Sequence, residues 1–386
     1  MDRKEFVRLC SLLGIGLAVP GGVLAGGARG KSSFKGKVII IGAGAAGMTA
    51  GYLLQQQGIE FEILEASAAY GGRMKRTTEF ADFSIPLGAE WLHVKRGIFD
   101  EIVNDPSVPI TVATTRYNAR TDDYWYNGKT KQLGVLGMTK DQKFINATWF
   151  DFFEQYILPS VADRISYNTV VSSIDHSGAQ VVIGTNRNEH RADRVIVTVP
   201  VKLLQQGAVT FTPALPEKKQ AAIKEVKVWD GCKAFIEFSE KFYPTFTAFD
   251  VEPRKSGEKM YYDASYAQNT THHILGLFAV GSGAAPYLKR SRDALIQYIL
   301  AELDGIFNGR ASATYVKHMF QNWNEEPFAR GAYVHNHESW RRVRTLGKPV
   351  GDKLLFAGTA YTDGTDWGSV HTAARSAIRA VETLTE

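Results

Sequence analysis

Cysteine is almost absent: Cys10 and Cys232 are the only two in 386 residues. With Cys10 in a leader-like segment, no structural disulfide is expected and no thiolate zinc cluster can form. Basic runs are missing as well. The net charge of +5 is spread along the chain, which reads as a solvated surface and does not point to nucleic acid. His272-His273 are adjacent surface candidates, and no metal is expected. Long apolar runs are lacking too. The uncharged stretch Leu9–Ala28 holds six glycines and Pro20, a poor spanning helix, so stable membrane insertion is not expected. Low-complexity tracts do not occur, and the chain exceeds the size at which one core usually divides, so two domains are expected.

What is present is concentrated early. Val38–Ile41 is a four-residue aliphatic run suited to a strand buried on both faces. Gly42-x-Gly44-x-x-Gly47 follows, and with Ala45 and Ala46 it opens a helix. Gly42 makes the tight turn, Gly44 lets a pyrophosphate approach the backbone, and Gly47 lets helix and strand pack closely. The helix N-terminus supplies free N–H groups and a positive dipole end. Glu65, 18 residues after Gly47, closes the next strand and is placed to bind an adenosine ribose. The second turn, Gly71-Gly72-Arg73, adds a guanidinium that can neutralise the pyrophosphate, which narrows the cofactor from a dinucleotide to FAD.

Ahead of this, Arg3-Lys4-Glu5-Phe6-Val7-Arg8 resembles a bacterial twin-arginine signal with lysine as the second basic residue. That route exports proteins already folded around a cofactor. Residues 1–30 are therefore expected to direct export, to the bacterial periplasm; an uncleaved N-terminal anchor is the alternative.

Further along, Trp149–Ile157 has the aromatic spacing of a core helix. Arg164–Ile174 and Gln180–Gly184 alternate like strands of an antiparallel meander, and Arg194–Val199 is a buried strand stopped by Pro200. Helices are expected over 216–225, beginning with a proline, and over Asp293–Phe307. Lys233–Phe238 alternates like a strand. Lys353–Gly358 is a strand running into glycine, and Gly368–Leu384 is a closing helix. Since both ends of the chain have dinucleotide-fold character, the domains are discontinuous.

In this order the motifs resemble those of the flavin-containing amine oxidases, the family of monoamine, polyamine and L-amino acid oxidases. Besides the two glycine turns, they are Leu87-Gly88-Ala89-Glu90-Trp91, Val171-x-x-Ile174, Val197-Thr-Val-Pro200, the Lys233 strand, Trp323, Arg330-Gly-Ala-Tyr333 and Phe356-Ala-Gly358. The resemblance implies an α/β fold with an α+β second domain: a Rossmann-like FAD-binding domain and a discontinuous substrate domain built on an antiparallel sheet plus helices. The expected limits are 34–93, 164–219 and 327–386 for the first, and 94–163 and 220–326 for the second.

The resemblance also implies site residues. FAD would be held by Gly42, Gly44, Ala45, Ala46, Gly47, Glu65, Ala66, Gly72, Arg73, Leu87, Gly88, Ala89, Glu90, Val171, Val199, Trp323, Gly358, Gly368, Ser369 and Val370. Lys233 matches the catalytic lysine that holds a water beside the flavin. Tyr333 would be an aromatic wall of the substrate site, and Glu90 would either attract a cationic amine or serve as a structural glutamate at a strand end. Ala332 occupies the place of a cysteine that anchors FAD in some members, so FAD is expected to be noncovalent. Three positions depart from the pattern. Ser369 replaces the second aromatic wall, for which Trp367 is the candidate substitute; Thr372 replaces a late glycine; and Ala360 lacks an acidic neighbour of Gly358. The segment between His93 and Arg164 is also short, implying an open pocket and leaving room for homo-oligomer contacts.

The activity implied is oxidation of a small-molecule amine to an imine and carbonyl, with O2 reduced to H2O2. Two alternatives stand beside it: a dehydrogenase or desaturase of the same fold acting on a non-amine substrate, and a non-catalytic FAD-binding protein.

Overall fold

The computed structural model describes residues 34–136, 141–249 and 257–386. The proposed export segment lies outside them. A five-stranded parallel sheet runs in the order Ile165–Ser166, Phe61–Leu64, Val38–Ile41, Arg194–Val197, Leu354–Phe356. Every residue of Val38–Ile41 is buried. Val38 and Ile40 enter one core, with the helix Ala45–Gln56, while Ile39 and Ile41 enter another on the opposite face. Two-sided burial is why this strand is an unbroken aliphatic run. The chain continues to one side of Val38–Ile41 and later returns on the other, which opens a crevice at the carboxyl ends of the strands. The closing helix Val370–Thr385 packs on Ala45–Gln56 through small residues, including Ala46, Ala50, Ala373, Ala377 and Ala380.

Facing that crevice is a seven-stranded sheet in the order Tyr315–Asn322, Gly231–Phe238, His273–Gly281, Gly257–Asp263, Phe246–Ala248, Asp123–Tyr126, Lys129–Gln132. Its pairs are antiparallel except that between Phe246–Ala248 and Asp123–Tyr126. Helix Arg292–Phe307 covers one face, where Cys232, Ala234, Ile236 and Phe238 meet Leu295, Ile299 and Leu303. The other face carries Lys233, Phe235 and Tyr262 inward. Alternation in Lys233–Phe238 thus does not separate solvent from core: Gly231–Phe238 is buried throughout.

The helices expected over 149–157, 216–225 and 293–307 are present as Trp149–Tyr156, Glu217–Glu225 and Arg292–Phe307. The strand expected over Arg164–Ile174 divides. Ile165–Ser166 joins the parallel sheet, whereas Val171–Asp175 pairs antiparallel with Val181–Thr185 in a separate four-stranded sheet. Asn168 lies between them in the left-handed region, φ 52°, a conformation asparagine tolerates and a strand does not.

Candidate active site

One cavity of about 950 Å³ lies between the parallel sheet and the seven-stranded sheet. Its first wall is backbone. Gly42 has φ 108° and Gly71 φ 105°, and the Gly71 N–H donates to the Ala43 carbonyl at 2.9 Å, which joins the two glycine turns. A side chain on Gly44 would project into open space at the cavity edge. Glu65 accepts from the Ala43 and Ser67 N–H groups at 2.6 and 2.8 Å, which fixes the turn while the carboxylate still lines the cavity.

Arg73 donates to the Ala332 carbonyl and to Thr359 Oγ1. Among the described residues it has no carboxylate partner, so its charge is available to an anion in the cavity. Opposite, Ser369 and Val370 bring the start of the closing helix to the wall. Free N–H groups, a helix N-terminus and an unneutralised guanidinium form a pyrophosphate-binding donor set. The site therefore fits FAD.

The cavity brings together every expected site residue except Gly47 and Leu87. Gly47 acts from behind: a Cβ there would fall 1.8 Å from the Gly42 carbonyl oxygen. Leu87 is a correction to the expected flavin lining. Its side chain is buried among Trp91, Phe235 and Tyr262, and its carbonyl accepts from Trp323 Nε1 at 3.0 Å.

Ser369 and Thr372 belong to one local device. The Thr372 hydroxyl accepts from the Ser369 N–H at 3.1 Å and donates to the Ser369 carbonyl at 2.7 Å, half of a capping box at the helix start. Trp367 lines the cavity, tethered through Nε1 to the His335 carbonyl at 3.0 Å. Tyr333 meets Trp229 edge-on at 5.4 Å, and its ring lies 3.4 Å from where a Gly368 side chain would begin.

The second wall carries buried charge. Lys233 Nζ donates to Glu90 Oε2 at 2.7 Å and to the Pro86 carbonyl at 2.9 Å. Lys143 Nζ donates to Glu90 Oε1 at 2.7 Å, and Tyr262 Oη donates to Glu90 Oε2 at 2.8 Å. Burial alone would raise the Glu90 carboxyl, but the two ammonium groups outweigh it and hold it well below the usual range. Glu90 therefore does not offer a free charge to a cationic amine, which favours the structural one of its two expected roles. Its charge is consumed within the protein.

Sequence reasoning missed Lys143 and Tyr262. Lys143 sits in the three-residue strand Gln142–Phe144, too short for a periodic signal, and its partner is 53 residues away. Also unforeseen in the wall are Phe278, His93 and Asn336. Asn336 donates to Glu258 at 3.1 Å, and burial raises the Glu258 carboxyl well above its ordinary range. His93 lies 3.1 Å from Asp141, which raises the imidazole above its usual value against the opposing effect of burial. Among the described residues no cluster of metal-ligating side chains occurs, and no helix is long and apolar enough to cross a membrane.

A crevice of glycine turns at the carboxyl ends of parallel strands, closed by an antiparallel sheet, defines a flavin-binding oxidoreductase. The family model "Flavin containing amine oxidoreductase" matches residues 153–385, and an "NAD(P)-binding Rossmann-like domain" model matches 40–102. The chain belongs to the flavin-containing amine oxidoreductase family, and its cofactor is FAD.

Polyamine oxidase 2 of Arabidopsis thaliana is 24% identical over 89% of this chain and 87% of its own length. Lysine-specific histone demethylase 1 homolog 3 of the same plant is 29% identical over 59% of this chain, which spans only 14% of that protein. A solved putrescine oxidase with bound putrescine superposes with a TM-score of 0.72 at 14% identity, covering 90% of this chain and 98% of that one. At that identity the likeness concerns the fold.

Proposed function

We propose that this protein is an FAD-dependent amine oxidase that converts a small primary or secondary amine to an imine, with O2 as the electron acceptor and H2O2 as the product. One observation carries the reading: the cofactor cavity is bounded by Lys233 and by two aromatic residues, Tyr333 and Trp367, against an otherwise apolar sheet face. The resemblance to polyamine oxidases along most of the chain supports amines as the substrate class.

Bound FAD supplies the acceptor for the two electrons and the hydrogen that leave the α-carbon of the amine. The chain supplies the rest. Tyr333 and Trp367 present flat apolar faces that orient the substrate. Because two buried lysines and Tyr262 occupy the Glu90 carboxylate, it offers no uncompensated charge to an ammonium ion, and the amine reacts in its neutral form. Lys233 brings its buried amino group to the site. Trp367 lines the cavity together with Tyr333, and the Ser369–Thr372 pair serves helix capping; both support a working site over an eroded one.

The FAD-facing part is assembled from 34–93, 164–219 and 327–386, and residues 3–8 direct export. Ala332 offers no thiol to the flavin, so acid precipitation should release all of it to the supernatant.

Anaerobic mixing of the yellow protein with amines, amino acids and polyamines tests the activity, read as bleaching near about 450 nm, a property of the oxidised cofactor. One amine class should bleach the flavin rapidly, and air should restore the colour with peroxide release. The second-order rate should rise with pH as the substrate amine loses its proton. Colour that persists across the whole panel would overturn the proposal, and bleaching that air does not reverse would remove O2 as acceptor.

A further inference from the structure

Two buried lysines share one buried carboxylate, and only one of them reaches the cofactor cavity. Lys143 and Glu90 are brought together by strand register: Trp91 pairs with Lys143 across the antiparallel strands Trp91–Leu92 and Gln142–Phe144, which sets the Lys143 ammonium against the residue preceding Trp91. Lys233 arrives from Gly231–Phe238, the second strand of the seven-stranded sheet. Side-chain exposures are 2% for Glu90, 5% for Lys143 and 3% for Lys233. We propose that Glu90 and Lys143 are positioning residues that set the proton occupancy of Lys233, by dividing a single carboxylate between the lysine that faces the flavin and one that does not.

The groups around Lys233 make this division consequential. Glu90 faces it from the turn before Trp91, Lys143 from the short strand behind, and Tyr262 from the strand Gly257–Asp263. Tyr117, one ring further out, accepts from Trp91 Nε1 at 2.9 Å. Gln321, opposite Lys233 on the neighbouring strand, is neutral and directs its amide to Glu326 at 2.8 Å. The rings of Trp91, Phe235 and Tyr262 lie 5.9, 5.4 and 5.5 Å from Lys233 Nζ. Glu90 is thus the sole full negative charge in contact with Lys233 among the described residues, and Lys143 is the nearby positive one.

Burial lowers the Lys233 ammonium below the ordinary lysine value, Glu90 opposes that, and Lys143 adds to it. Removing Lys143 hands the whole carboxylate to Lys233 and removes a repelling charge, so Lys233 holds its proton to higher pH. Removing the charge of Glu90 leaves two ammonium groups facing each other in a dry site, so Lys233 loses its proton at lower pH. An ammonium beside the flavin stabilises the negative charge gained on reduction; a neutral amine does so far less.

The inference rests on the reading that Lys233 faces bound FAD, and the test separates the two. The midpoint potential of the bound flavin is measured against pH by spectroelectrochemistry for the holoenzyme and for Lys233→Met, Lys143→Met, Lys143→Arg and Glu90→Gln. The wild-type plot should show a change of slope that Lys233→Met abolishes. Lys143→Met should move it up, and Glu90→Gln down, by about one to three pH units. Lys143→Arg, which keeps the charge, should leave it in place.

A general loss of packing would not move the two variants in opposite directions. Should Glu90→Gln fail to fold, the contrast between Lys143→Met and Lys143→Arg decides alone. A change of slope that survives Lys233→Met overturns the flavin-facing role of Lys233 itself. One that Lys233→Met abolishes, but that is unmoved by Lys143→Met or moves the same way in Lys143→Met and Glu90→Gln, overturns the division of Glu90. So does a wild-type plot with no change of slope across the pH range in which the holoenzyme is folded.

Discussion

The two walls of the cavity are built from opposite materials. On the parallel-sheet side, recognition belongs to the backbone: glycine turns, a helix start and the Arg73 guanidinium, all within residues 42–73 of the sequence. On the antiparallel-sheet side it belongs to side chains: a lysine–glutamate–lysine cluster and aromatic rings from strands far apart in the chain. A backbone wall can present donors to phosphates without burying charge, since the N–H groups of the turn are satisfied by the ligand. A side-chain wall that places an ammonium in an apolar site must compensate it, because an isolated buried charge costs several kcal/mol. Glu90 is that compensation, and Lys143 limits how much of it Lys233 receives.

The contrast can be broken most severely at the backbone wall. Gly47→Ala would place a methyl 1.8 Å from the Gly42 carbonyl oxygen. Neither backbone can yield, so a loss of about 3 kcal/mol or more is expected, seen as a collapse of thermal stability and of flavin yield. Gly44→Ala sharpens the same wall. Its Cβ meets nothing within 4 Å, so stability should stay within about 1 kcal/mol of wild type while FAD retention falls. Unchanged FAD affinity in Gly44→Ala would show that the pyrophosphate does not approach this turn.

At the side-chain wall, Glu90→Gln should cost about 3–5 kcal/mol in urea denaturation, since it leaves two buried ammonium groups uncompensated. The pH dependence follows from the sign of the shift. Glu90 titrates below its unfolded value, so its stabilisation is fully present above about pH 4.3 and is lost as pH falls towards the folded value. The variant should lack that part of the acid loss. Tyr262→Phe should have the smaller effect at this wall, about 1.5–3 kcal/mol for one hydrogen bond to a charged acceptor, with the cluster otherwise intact. A larger loss from Tyr262→Phe than from Glu90→Gln would mean that ring packing, and not charge, organises this wall.

Much of the fold was legible because its signals are local. The aliphatic run before Gly42, the two glycine turns, Arg73 and the aromatic helix at 149–156 each announce themselves within a dozen residues. Where reading failed, the missing term was an interaction with a distant or unexpected neighbour. Asn168 looked like part of one strand until its left-handed backbone divided Ile165–Ser166 from Val171–Asp175. Ser369 and Thr372 looked like separate departures until their hydrogen bonds joined them at one helix start. Leu87 was expected at the flavin and is instead turned into an aromatic core.

FAD binding on a parallel sheet was readable along the chain, because dinucleotide recognition requires glycines and a helix start for the pyrophosphate and an acidic residue for the ribose at set intervals along one stretch. What Lys233 stands beside was set by packing between distant segments. Glu90 lies 143 residues from it and Lys143 lies 53 residues from Glu90. Electrostatic coupling depends on distance and burial, and both are properties of the folded packing that no spacing along the chain encodes.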